Sequence, residues 1–309
     1  MAYKEKTMPH SERLKERIQK LKAENNAVIL AHNYQIEEVQ EIADFTGDSL
    51  ELARKAANYD ADVIVFCGVD FMAETAAILS PEKTVLLPAE QANCPMADMI
   101  TAGELRVLKQ RFPDAAVVCY VNTTAEVKAE SDICCTSSNA VKVVQSLDAD
   151  QIIFVPDRNL GNYVSLFTDK NIMPWEGFCF VHDRITPDDV NKARELHPDA
   201  EILVHPECRA EVVDMAEKVA STSGMIEYVC QSRKQEFIIG TEIGILHRIK
   251  KDCPGKICYP LSSHAICTNM KMTDLTKICN SLQKMSPRIT IPGEIGDRAR
   301  LAIQRMLDV

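Results

Sequence analysis

The run AVILAHNYQ, residues 27–35, is apolar through Ala31 and then turns at once to His32, Asn33 and Tyr34. A short unbroken apolar stretch of this kind suits a strand buried on both faces of a parallel sheet, with polar groups at its carboxyl end. Its end has two echoes, CYVNT at 119–123 and VHPEC at 204–208, so that His32, Tyr120 and His205 fall in register. Seventeen residues on from these come Ser49, Ser137 and Thr222, each a hydroxyl at the expected start of a helix. Thirty-six residues on come Gly68, Pro156 and Thr241, each closing another apolar run. A third expected strand and a cysteine follow in every case: Cys94, Cys179 and Cys267. We read three copies of one strand–helix–strand–helix–strand unit of roughly 85–88 residues. Any parallel α/β protein alternates strand and helix at similar spacing; what separates triplication from that background is the coincidence of strand end, hydroxyl and cysteine in one register.

Outward from these landmarks, apolar runs stand at 27–32, 62–68, 84–88, 115–121, 151–156, 178–182, 201–206, 236–241 and 256–260. Helix-like stretches separate them, among them SLELARKAANY (49–59) and AEVVDMAEKVA (210–220). The expected class is therefore α/β, with three similar α/β/α sandwich domains, each on a small parallel sheet, set about a pseudo-threefold axis. The expected divisions are 1–100, 101–186 and 187–288. Residues 11–25 read as an amphipathic helix capped by Ser11, with Leu14, Ile18 and Leu21 on one face. Residues 289–307 read as a loop and a closing helix, Leu301 and Ile303 flanking its apolar side, that packs back on the first copy.

With 309 residues, 46% hydrophobic and 26% charged, the chain has the composition of an ordinary globular protein with ample material for a core. Its net charge of −10 and lack of a basic cluster argue against a nucleic-acid partner. The charged start has no apolar leader segment and no run approaches a membrane span, so a cytoplasmic protein is expected. Twelve cysteines in such a place imply thiols, a metal or a cluster rather than a disulfide scaffold, and zinc-type CxxC spacing is absent.

The register sorts those cysteines. Only Cys94, Cys179 and Cys267 recur in all three copies; the other nine read as structural thiols. Equivalent loops of three copies converge on one axis, so three thiolates would meet there with one ligand short of the set that fills an electron-transfer [4Fe–4S] cluster. The open position would bind and polarise a substrate oxygen. His32 with Tyr34, Tyr120 with Asn122, and His205 with Glu207 are pairs two residues apart, so both members leave the same face of the strand. Ser49, Ser137 and Thr222 could cradle an anion beside helix-start N–H groups, or merely cap their helices.

Several stretches resemble the quinolinate synthase family: LAHNYQ (30–35), ADFTGDSLELAR (43–54), NCPMADM (93–99), YVNTTAEVKAESDICCTSSNAV (120–141), PDRNLG (156–161), HPEC (205–208), ASTSG (220–224), GTEIG (240–244) and CTNMKMTDL (267–275). The resemblance spans almost the whole chain. It implies three α/β/α domains around a [4Fe–4S] cluster held by Cys94, Cys179 and Cys267. It further implies condensation of iminoaspartate with dihydroxyacetone phosphate to quinolinate, on the route to NAD. Glu207 and Tyr34 would be the acid/base pair, with His205 and His32 assisting. Tyr120, Asn122, Ser137, Ser49 and Thr222, together with His32, His205 and Glu207, would hold the substrates. An oxidase or dehydrogenase supplying the unstable iminoaspartate is the expected partner. The CxxCxxC of some members around the third ligand is missing, since Cys253 and Cys258 are irregularly spaced. Other three-cysteine cluster enzymes, the hydroxymethylbutenyl diphosphate reductase and diphthamide-synthase types, share the architecture but not these motifs. A non-catalytic iron–sulfur sensor would have no use for His, Tyr, Asn and Glu pairs aimed at an open iron.

Overall fold

A computed structural model of the protein describes residues 9–309; the first eight, on which the expected charged start and the beginning of the 1–100 division fall, lie outside the described residues. Three four-stranded sheets, every pairing parallel, follow one another along the chain. The first comprises β1 (Ala27–His32), β2 (Phe45–Gly47), β3 (Val63–Cys67) and β4 (Thr84–Leu86). The second comprises β5 (Ala116–Tyr120), β6 (Ile133–Cys135), β7 (Gln151–Val155) and β8 (Asn171–Pro174). The third comprises β9 (Glu201–Val204), β10 (Lys218–Val219), β11 (Glu236–Gly240) and β12 (Ile257–Pro260). All three have the same strand order, second–first–third–fourth. The fold is three α/β units, and each unit has one strand more than the repeat predicted.

The added strands β2, β6 and β10 are only two or three residues long and carry Phe45, Thr46, Cys134 or Lys218 rather than a β-branched run, which hides them from hydropathy. For the same reason AEVVDMAEKVA is not one helix: it divides into Ala210–Val213 and β10, because Lys218 and Val219 pair with Leu203 and Val204. The apolar run FCFVH is not a strand. The edge position is taken by β8, which registers Gln151 against Asn171 and ends in proline, and Phe180–Asp183 is a helical turn with Phe180 exposed.

Central strands are buried on both faces, as their composition demands. Val28, Ile29, Leu30 and Ala31 of β1 pack between two helical layers. On one side lie Leu50, Leu52 and Ala56 of helix Ser49–Asn58 with Phe71 and Ala76 of helix Asp70–Leu79. On the other lie Ile18 and Leu21 of helix His10–Glu24 with Ile278 and Leu282 of helix Leu275–Lys284. That last helix belongs to the third segment by sequence but covers the first sheet, closing the ring of three units. Helix His10–Glu24 begins after Pro9 with no side-chain cap, so Ser11 does not cap it.

Helix Gly293–Asp308 packs on helix Ala125–Ala129 and β6 of the second unit as well as on helix Asp70–Leu79 of the first. It does so through Gly296, Ala299, Ala302, Ile303 and Met306; Leu301, expected beside the apolar face, is exposed. One further difference concerns the thiols. Helices Thr222–Gln231 and Ile245–Asp252 pack together, and Cys230 and Cys253 at their ends form a disulfide with Cα atoms 5.1 Å apart. The other ten cysteines are free. Among the described residues no helix is long and apolar enough to cross a membrane.

Candidate active site

Parallel strands deliver their carboxyl ends to one side of each sheet, and the three sides face a common cavity of about 330 Å³. Every residue singled out from the sequence lines it: Cys94, Cys179 and Cys267; His32, Tyr34 and Ser49; Tyr120, Asn122 and Ser137; His205, Glu207 and Thr222.

His32 and His205 end β1 and β9 in matching poses. The Nδ1 of His32 accepts the Tyr34 N–H at 3.1 Å, and that of His205 accepts the Glu207 N–H at 3.3 Å. An Nδ1 that accepts leaves the neutral ring its proton on Nε2. His205 Nε2 meets the Ser137 hydroxyl at 3.2 Å. Burial, set against the pull of nearby acids, lowers His32 to about 4 and His205 to about 3, so both rings are neutral at pH 7 and offer Nε2–H donors.

Glu207 is the hub. The Tyr120 hydroxyl donates to its Oε1 at 2.5 Å, and His182 Nδ1 lies 2.6 Å from its Oε2, a close contact without the alignment of a good hydrogen bond. The rings of His182 and His205 stack at 4.5 Å. Burial pushes the carboxyl up, but His182, His205 and the Tyr120 hydroxyl together outweigh it and hold Glu207 at about 2. Tyr34 and Tyr120 go the other way. Burial, reinforced by the Glu207 charge, raises both phenols well above their ordinary value. His182 Nε2 reaches the Thr241 hydroxyl at 2.8 Å, which meets the Tyr34 hydroxyl at 2.5 Å. A continuous polar chain thus runs Tyr120–Glu207–His182–Thr241–Tyr34 through all three units. His182 and Thr241 were not singled out for the site from the sequence. The available signal was His182 standing three residues after a recurring cysteine, where the other copies have Ala97 and Met270.

The hydroxyls are free of capping duty. Helix Ser49–Asn58 is capped by Asp48, which accepts from Leu50 and Glu51, and helix Thr222–Gln231 by Ser221, which accepts from Gly224. In the second unit Thr136 accepts from Ser138 N–H. The caps therefore sit one residue before Ser49 and Thr222, which leaves these two beside positive helix ends, whereas Ser137 lies in the turn before helix Ala140–Gln145, whose N-cap Asn139 makes no side-chain cap. Ser138 donates to Asp48 at 2.6 Å and meets Ser221 at 2.9 Å, tying the three starts together. Asn33 donates to Thr222 at 3.0 Å, and the buried Asn122 Oδ1 has no partner in the protein, an acceptor left for a ligand donor.

The donor set suits an iron–sulfur cluster. The three thiols come from three different units, and no fourth cysteine lines the cavity. Among the described residues the sulfurs of Cys94, Cys179 and Cys267 do not gather within 4.8 Å of one another, the spacing that ligands of a single ion would show; within that distance Cys179 has His182 and Glu207 instead. Each starts a helical turn, its carbonyl accepting from Ala97, Asp183 or Lys271, and backbone N–H groups face each sulfur. Burial raises all three thiols, so they would ionise only against a bound cation.

The sequence model of the family described as Quinolinate synthetase A protein matches residues 16–308. The quinolinate synthase of Methanoregula boonei is 66% identical over 294 residues, covering 95% of this chain and 97% of that one. That of Dehalococcoides mccartyi is 56% identical over 300 residues, 97% and 99% of the two chains. Quinolinate synthase 1 of Methanosarcina acetivorans is 56% identical over 293 residues, 95% and 96% of the two.

Proposed function

The chain belongs to the quinolinate synthetase A family, and from that membership we infer that it is a quinolinate synthase of NAD biosynthesis. It condenses iminoaspartate with dihydroxyacetone phosphate to quinolinate, releasing phosphate and two waters. The observation that carries this reading is the single cavity in which three thiols from three units face the Tyr120–Glu207–His182–Thr241–Tyr34 chain.

Cys94, Cys179 and Cys267 would hold a [4Fe–4S] cluster with one iron free of protein ligands, which when bound supplies Lewis-acid polarisation of a substrate oxygen. The side chains divide the proton work by environment. Glu207, kept ionised, is suited to take a proton from carbon beside a carbonyl or imine. Tyr34 and Tyr120, kept protonated, are suited to give protons to departing oxygens. His32 and His205 offer neutral N–H donors to carbonyl or carboxylate oxygens. Ser49 and Thr222 bind the anionic groups against the helix starts, Ser137 adds a third hydroxyl, and Asn122 accepts from a substrate N–H or O–H. The protein's net charge of −10 opposes anionic substrates, so these local donors set both affinity and orientation. Because iminoaspartate hydrolyses readily, an oxidase or dehydrogenase of aspartate is its fitting source.

The test is anaerobic reconstitution followed by assay. Iron and sulfide should load in a form that depends on all three cysteines, and quinolinate should accumulate from the two substrates. A loaded protein that makes no quinolinate would instead match a sensor.

A further inference from the structure

One arrangement repeats three times just outside the cavity wall. The backbone N–H of each recurring cysteine is held by an acidic side chain from the end of the third strand of its own unit. Cys94 donates to Asp70 Oδ1 at 3.2 Å, Cys179 to Asp157 Oδ2 at 3.1 Å, and Cys267 to Glu242 Oε1 at 3.2 Å. A second bond closes each clamp in the opposite sense. Asp70, Arg158 and Ile243 donate their N–H groups to the carbonyls two residues before each cysteine: Ala92 at 2.8 Å, Gly177 at 2.8 Å and Ala265 at 3.0 Å. The same carboxylates are anchored on the strand side, where they accept from Phe71, Leu160 and Gly244 at 2.7 Å each. Asp157 and Glu242 are fully buried and Asp70 is half-buried.

Helix capping explains only part of this. Asp157 does cap helix Arg158–Ser165, but the residue before helix Asp70–Leu79 is Val69, which offers no side-chain cap. In the register set by His32, Tyr120 and His205, Asp70 also stands one place later than Asp157 and Glu242, yet its carboxylate reaches the equivalent cysteine. The bond is kept where the position is not. Burying carboxylates beside thiols that must ionise is costly, and an amide or hydroxyl could satisfy one N–H at lower cost. A carboxylate can accept from the strand end and the cysteine together, so it fixes the cysteine's backbone relative to its sheet.

We propose that Asp70, Asp157 and Glu242 are positioning residues that hold the three cysteine loops in the spacing a cluster needs. This rests on the reading of Cys94, Cys179 and Cys267 as cluster ligands. Groups that orient metal ligands are commonly worth about 10–100-fold in metal retention.

The experiment loads the full-length protein anaerobically and follows iron loss to an excess of chelator, with the absorption and electron paramagnetic resonance spectra as a second readout. Asp157→Ala and Glu242→Ala should lose iron about 10-fold faster or more, with altered spectra. Asp157→Asn, which keeps one acceptor, should fall between them and the parent. Thr186→Ala is the control; it removes the cap of helix Pro187–Leu196, whose Oγ1 accepts the Asp189 N–H at 3.3 Å, without touching a cysteine. It should lower the melting temperature and leave iron retention unchanged. Parental iron release from both alanine variants, or a loss matched by Thr186→Ala at equal melting temperature, would overturn the clamp. Should the alanine variants fail to fold, Asp157→Asn with parental release and spectra overturns it. If the parent binds no iron, or Cys179→Ala retains iron as well as the parent, it is the cluster reading that fails, and the clamp with it.

Discussion

The Tyr120 hydroxyl donates to Glu207 Oε1 at 2.5 Å, joining the end of β5 to the loop after β9. A phenol of one unit thereby holds the carboxylate of another in its charged form, and the carboxylate in turn keeps the phenol protonated. Acid and base are set apart by mutual contact, and neither environment exists within one unit alone.

Glu207→Gln removes the charge while keeping the shape. Cluster content should match the parent, and quinolinate turnover should drop about 100-fold or more, the usual worth of a positioned acid or base. Full turnover in a loaded Glu207→Gln protein would take this residue out of the mechanism.

Tyr120→Phe should lower stability as well as turnover. It strips a hydrogen bond from a buried carboxylate, a loss of about 1.5–3 kcal/mol. Denaturant unfolding reads the first effect and steady-state assay the second; a parental midpoint would mean that Glu207 finds another donor.

His182 links Glu207 to Thr241, and through it to Tyr34. His182→Gln should reduce kcat with little change in KM, because the chain is interrupted while the substrate-facing donors remain. A rise in KM alone would instead make His182 a binding group.

Acid should destabilise the fold through His32. Its pKa is about 4 in the folded protein against 6.5 when exposed, so above about pH 6.5 both states are neutral there and nothing is gained or lost. As the pH falls from 6.5 toward 4 the unfolded chain takes up the proton first, and stability declines by at most about 1.4 kcal/mol per pH unit from this group. Thermal melting across that window should be less steeply pH-dependent in His32→Gln; an unchanged slope would refute the assignment.

Gly177 passes so close to the chain leaving β7 that an added Cβ would lie 2.4 Å from the Pro156 carbonyl oxygen. Backbone cannot yield as a flexible side chain does, so Gly177→Ala should cost about 1–3 kcal/mol and displace the Cys179 loop, read as a lowered melting temperature with lowered iron content. Parental values for both would show that the loop has slack.

Much of this architecture is legible in one dimension. β1, β3, β5, β7, β9 and β11 appear as apolar runs because central strands of a parallel sheet need apolar residues on both faces. The edge strands β2, β6, β8 and β10 escape notice because pairing on one side and partial exposure relax that demand, although the edges β4 and β12 keep readable runs, and FCFVH is misleading because apolar side chains also suit a short turn above a cavity. Capping shows a similar limit. Ser49 and Thr222 resemble caps by residue type, but the backbone turns one residue earlier, at Asp48 and Ser221.

Which residues would converge could be read from the linear order of the chain, since a triplicated unit puts equivalent strand ends at equivalent places and only three cysteines obey that rule. How they interact could not. The Glu207–His182 contact, the paired clamps on the cysteine loops, the Asp48–Ser138–Ser221 junction and the return of helix Leu275–Lys284 to the first sheet all join residues remote in sequence. Periodicity records what a residue buries, a local quantity. The charge a buried group carries depends on neighbours brought in from other units, and that comes into being only when the three sheets close on one another.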